Sequence, residues 1–320
     1  MRAALPGGVI GYALRFTGRH QAGLAVLSVA VFLLSAAPLE LQRRVVNTIV
    51  EHGGLTTIVW LALCYAGVAL LEQGLKLVLN VYRGWVSEST VRDLRRQARA
   101  YAAAAGLGDA DETGVEVAVV LEEVEPIGGF TGMSVSEPLL QAGILVSVVS
   151  YMLYLDARLT LVALAFFLPQ LVFVPLLQGA INRRAESRIL TKRGLSGKII
   201  GAARAVDRQW AWADEPISRV FTLNMGIYKL KFTMNLLMNI MHHSAVALAL
   251  GLGGWLALEG TIEVGTVVAI VGGMGKLNDP WGDLVNWARE FSVVDVKYRL
   301  FAQALDRLEE RVGDGAVRAA

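Results

Sequence analysis

The sequence predicts an all-α membrane protein with six transmembrane helices and two long helical extensions on the cytoplasmic side. Composition is the first reason. Hydrophobic residues make up 54% of the 320-residue chain and charged residues only 18%, with a mean hydropathy of +0.49, which a soluble domain of this length rarely shows. Apolar stretches of membrane-crossing length are the second, grouped in pairs around the polar loops 86–137 and 183–231. The third is charge: assigning the N-terminal arm, 72–137, 181–231 and 276–320 to one side of a bilayer puts 27 of the 30 Lys and Arg residues there, and only Arg43, Arg44 and Arg158 opposite. Both termini and both long loops are therefore expected in the cytoplasm, and the chain in the cell (inner) membrane.

A helix needs about 20 mostly apolar residues to cross the hydrocarbon core, where unpaired backbone groups are not tolerated. The spans read as about 20–39, 53–85, 138–155, 159–182, 232–258 and 264–285. The first begins far from Met1 and lacks a small-residue cleavage site after its apolar run, so it is expected to stay in the mature chain. The second runs from GGLTTIVWLALCYAGVALL into VSESTVRDLRRQARAYAAAA (86–105), rich in helix formers and free of proline, so one helix should leave the bilayer. GLGDADETG (106–114) breaks it with turn residues, and VEVAVVLEEVEPIGGF (115–130) resumes a helical pattern toward the third span. The second loop repeats the plan: Ile181 to about Ala203 descends, Val206–Pro216 turns, and Ile217–Phe232 climbs back. The sixth span is apolar only over 264–275, but its helical pattern continues through Lys276 toward Asp306.

Three stretches carry a family resemblance. YLDARLTLVALAFFLP (154–169) pairs an Asp, a basic residue and Leu-Thr-Leu with a mid-helix proline; LEGTIEVGTVVAIVGGMGKLNDPWGDL (258–284) spaces Gly260, Gly265 and Pro280; VKYRLFAQALDRLEE (296–310) forms a late helix. With them, in this order, the chain resembles the transmembrane domain of ATP-binding-cassette exporters over nearly all its length, residues 1–311, with 312–320 as a tail or linker.

The resemblance implies a dimer of two such membrane domains, as homodimer or heterodimer, driven by two ATPase domains that clamp ATP and Mg²⁺ between them. It also implies two coupling segments, here about Leu107–Gly114 with Asp109, Asp111 and Glu112, and about Ala203–Asp214 with Arg204, Arg208 and Trp210. The lipid bilayer and an ATPase subunit or domain are the expected partners, and no nucleic acid is expected.

These residues contain no ATP site. A P-loop requires Gly-x-x-x-x-Gly-Lys-Ser/Thr, whose backbone amides cradle phosphate while the hydroxyl holds magnesium. The nearest approach, VAIVGGMGKLN (267–278), has Ile270 and Leu277 where glycine and a hydroxyl belong. GLSGK (194–198) lacks the second glycine and the glutamine of the family's signature loop. No cofactor, catalytic or metal site is expected in this chain: Cys64 is its single cysteine, and the adjacent His242 and His243 point about 100° apart on a helix.

Polar groups inside a span cost several kcal/mol unless they find partners, so they point to function or to packing. Asn235, Asn239 and His242 stand at i, i+4 and i+7 with His243 beside them, and either line a substrate cavity or bind neighbouring helices together. The glycines at 194, 197 and 201, at 251, 253 and 254, and at 272, 273 and 275 either pack helices closely or soften them for bending. The function the resemblance implies is a membrane-spanning transporter subunit exporting a small or amphipathic substrate by alternating access, coupled to an ATPase outside this chain. The alternative is a membrane scaffold or regulatory half that keeps the fold and transports nothing.

Overall fold

The computed structural model describes residues 6–104, 124–204 and 214–318, and among them the chain is helical with short turns and no strand. The helices are α1 (Val9–Leu34), α2 (Ala37–Val50), α3 (Leu55–Ala104), α4 (124–133), α5 (Ser136–Leu155), α6 (Ala157–Phe167), α7 (Gln170–Arg204), α8 (Asp214–Leu258), α9 (Val264–Gly275) and α10 (Asn278–Arg318). They form two compact units, Met1–Leu155 with Val264–Ala320, and Asp156–Glu263.

Five helical runs are long and apolar enough to cross a membrane: Val9–Val50, Leu55–Gln97, Val124–Leu155, Ala157–Lys192 and Asp214–Leu258. The long unbroken α3 follows the expectation for the second span and its extension. So do α7 and α8, which leave and re-enter the apolar region as the second loop's pattern requires. The sixth span differs from its expected form. α9 has only 12 residues, and the helix breaks at Lys276 and Leu277 before α10 begins.

Proline explains that break. Pro280 has no N–H, and its ring would collide with the carbonyl four residues back, that of Lys276. The Lys276 and Leu277 amides turn instead to the carbonyls of Gly273 and Met274, at 2.9 and 3.2 Å. The same chemistry splits the first expected span: Pro38 follows the turn at Ser35 and Ala36 that separates α1 from α2. Pro169 likewise falls in the turn between α6 and α7.

In the first unit, α5 packs on α1, α9 and α10, while α2 packs on α3 and α9. At one end the start of α1, the middle of α3, α4 and the middle of α10 enclose a core with Tyr12, Leu94, Ile127, Phe130, Tyr298 and Phe301 at 2% exposure or less. α1 reaches this core through a kink at Thr17, whose backbone is non-helical and whose Oγ1 bonds the Ala13 carbonyl at 2.6 Å. The Tyr298 hydroxyl donates to the Pro6 carbonyl at 2.9 Å, and the Val9 amide donates to Asp295 Oδ1 at 3.1 Å. Burial, with Asp295 nearby, pushes the Tyr298 hydroxyl up to about 12, so it remains a donor throughout the neutral range. A pKa raised in the fold means that this tie stabilises fully below pH 10, the unfolded value, and is lost as pH rises toward 12. Tyr298→Phe is therefore expected to lower the alkaline stability drop between those limits, measured as melting temperature against pH.

In the second unit, α8 packs against both α6 and α7. Asp156 caps α6, its Oδ1 accepting the Leu159 amide at 2.7 Å, which is why LDARL makes so tight a turn. α8 ends in a Schellman motif: the amides of Gly260 and Thr261 bond the carbonyls of Ala257 and Leu256, and Gly260 takes φ 73.

The turn after α2 is built the same way, with His52 and Gly53 amides on Ile49 and Thr48 carbonyls. There the left-handed position belongs to His52, at φ 54, where a side chain is disfavoured. His52→Gly is expected to stabilise the protein by about 0.5–1 kcal/mol, read as a higher melting temperature in detergent. A lower value would mean that the histidine side chain has a role in this turn.

Candidate functional site

The first unit holds a cluster of charges set into an otherwise apolar helical bundle. Glu72 and Lys76 stand one turn apart on α3, and Lys76 Nζ donates to Glu72 Oε1 at 2.7 Å. Glu72 is almost fully buried. Lys276, placed in the break between α9 and α10, lies 3.8 Å from Glu72 Oε2 and donates to the Ser35 carbonyl at 2.7 Å. That carbonyl sits at the break between α1 and α2, so two proline-induced interruptions meet at one lysine.

Further along α3, Arg83 reaches α5. Its Nε donates to Ser136 Oγ at 2.8 Å, and its Nη1 pairs with Glu137. Gln141, one turn on, donates from Nε2 to Glu137 Oε1 at 2.8 Å and to Asp283 Oδ2 of α10 at 3.1 Å. These side chains, with Ser35, Asn80, Asp279 and Pro280, line a cavity of about 510 Å³, a size usual for ligand pockets. Charges in a membrane-length bundle are expensive unless paired, and the pairing across α3, α5 and α10 satisfies that condition for most of them.

A second network holds the α2–α5 contact. Glu40 accepts from Arg43 Nε at 2.8 Å, Arg44 Nε at 2.6 Å and the Tyr151 hydroxyl at 2.6 Å. It accounts for two of the three basic residues on the sparsely charged side.

Sequence reasoning passed over the cavity. It treated Glu72, Lys76, Arg83 and Lys276 as flanking charges of the positive side, although Glu72 and Lys76 at i and i+4 in an apolar helix were a usable signal. The polar stripe on α8 belongs to the second unit, and none of it lines this cavity. Asn235, Asn239 and His243 are exposed and His242 is half-buried; the two imidazole rings sit 5.5 Å apart, edge to face. Neither asparagine bonds another described side chain. Asp109, Asp111, Glu112, Arg208 and Trp210 lie outside the described residues, as does the side chain of Arg204, the last residue of α7.

Among the described residues, five helical runs long and apolar enough to cross a membrane define a multi-pass helical membrane protein. The family model for the ABC transporter transmembrane region matches residues 23–200, more than half of the chain, and the protein belongs to that family. Its transmembrane character and its place as a membrane component of an ABC transporter follow from that membership. No curated protein matches the chain significantly.

Proposed function

We propose that this chain is the membrane-spanning subunit of an ATP-driven exporter that moves a small or amphipathic substrate by alternating access. ATP and Mg²⁺ bind on an ATPase domain or subunit outside these residues, and a second membrane domain completes the complex. The charged cavity of the first unit carries this reading, because a chain of this family that served only as a scaffold has no need of a cavity lined by seven ionisable groups. The exposed Asn235 and Asn239 add to it: unbonded amides on a membrane-length helix call for a water-filled path or a polar partner surface.

In the mechanism, closure of the ATPases pushes on the coupling segments, with Asp109, Asp111 and Glu112 in one and Arg204, Arg208 and Trp210 in the other. The breaks at Pro38, Pro169 and Pro280 supply places where helices can change direction without losing further backbone hydrogen bonds.

The test is co-expression with candidate ABC ATPases, followed by hydrolysis and transport measurements in proteoliposomes. A transporter subunit stimulates hydrolysis several-fold, and Arg208→Glu uncouples hydrolysis from transport while the protein still elutes as a folded species. Hydrolysis that is indifferent to the membrane chain would favour the scaffold, and transport unchanged by Arg208→Glu would remove that residue from the coupling surface.

A further inference from the structure

We infer that the cavity of the first unit binds a zwitterion, a small molecule or head group carrying an ammonium and an anionic group together. This rests on reading the chain as a transporter subunit and names the substrate chemistry of its cavity. Charge pairing is the argument. Lys76 and Lys276 share the single carboxylate of Glu72, which leaves one positive charge in excess there. Arg83 and Glu137 neutralise one another, but Arg83 Nη2 is buried with no acceptor among the described residues. Asp279 and Asp283, one turn apart on α10, have no cationic partner among the described residues, where Asp283 accepts the amide of Gln141.

The two excesses meet different partners: Lys76 and Lys276 contact Glu72 of α3, whereas Asp283 contacts Gln141 of α5. A ligand of one sign would satisfy one end of the cavity and leave the other unmatched. A zwitterion places its anion against Lys76 and Lys276, and its ammonium against Asp279 and Asp283. Gln141, 8% exposed, holds the Asp283 carboxylate in position and so acts as a positioning residue.

Isothermal titration calorimetry on the detergent-solubilised full chain tests this with three probes: glycerophosphoethanolamine, ethanolamine and glycerol 3-phosphate. The zwitterion is expected to bind at least tenfold more tightly than either compound carrying charge of one sign. Asp283→Asn should weaken the zwitterion and ethanolamine about tenfold and spare glycerol 3-phosphate, and Lys276→Gln should do the reverse. Asp279→Asn, at an exposed position, repeats the aspartate test if either other variant fails to elute as a folded species. Native mass spectrometry with phosphatidylethanolamine and phosphatidylglycerol separates a lipid head group from a free solute; selective retention of the former, or tight binding of the free zwitterion, supports the assignment. Equal binding of a probe carrying charge of one sign, variants without sign-selective effects, or no binding of any zwitterionic form would overturn it. None of these measurements involves ATP, so their failure is distinct from failure of the transporter reading.

Discussion

Glu137→Ala is expected to destabilise the protein by about 3–5 kcal/mol, the usual consequence of removing one partner from a buried ion pair. The Arg83 and Glu137 side chains are only 13% and 17% exposed, and Arg83 already has one unpaired nitrogen. Taking away the carboxylate leaves a guanidinium in a membrane-length bundle with the Ser136 hydroxyl alone, and also removes one acceptor of Gln141. The double variant Arg83→Leu with Glu137→Leu should recover most of that loss, since it buries neither charge. Thermal unfolding of the purified variants in detergent, followed by tryptophan fluorescence, measures both. A single variant no less stable than the double one would show that the pair does not hold α3 to α5.

Gly132→Ala is expected to lose about 1–3 kcal/mol or more, because overpacking at a closed contact forces backbones apart. A Cβ there would stand 2.3 Å from the Arg83 carbonyl oxygen and 2.3 Å from Ser87 Oγ, and one at Gly128 would stand 2.9 Å from the Val91 amide nitrogen. The Gly-x-x-x-Gly spacing thus lets α4 lie directly on the α3 backbone, where Ser87 Oγ donates to the Gly129 carbonyl at 3.0 Å. Gly129 gives the control. Its Cβ would meet nothing within 4 Å, so Gly129→Ala should be neutral or stabilising by up to about 1 kcal/mol through helix propensity alone. Melting temperatures moving in the same direction for both variants would contradict the close contact.

Glycines also show where sequence reading stops. The glycines at 194, 251, 254 and 275 were expected either to pack helices closely or to soften them, and a Cβ at any of these positions meets nothing within 4 Å in this chain. Gly272 and Gly273 do pack, the latter against Met152 Sδ at 2.8 Å. The tightest approaches fall at Gly128, Gly132, Gly143 and Gly265, of which only Gly265 had drawn notice, and for a turn. A row of small residues marks a smooth face, but which face meets a neighbour depends on how the helices are arranged.

The cavity has the same history. Glu72, Arg83, Glu137, Lys276 and Asp283 each read as an ordinary charge near the end of an apolar run. Their partners lie as far as 204 positions away, as in Lys276 with Glu72, and no local pattern encodes such a meeting.

What the sequence determined by itself is the membrane class and the helical content, because hydropathy and helix propensity act over a few neighbouring residues. The long α3 and the paired α7 and α8 belong to the same category. Tertiary structure alone decided that the prolines at 38 and 280 bring Ser35 and Lys276 together, that α4 rests on α3 through two glycines, and that seven ionisable groups from α3, α5 and the α9–α10 region line one cavity. Those outcomes depend on the pairing of distant helices, which the bundle settles by burying charges beside their counter-charges and backbones beside side chains small enough to admit them.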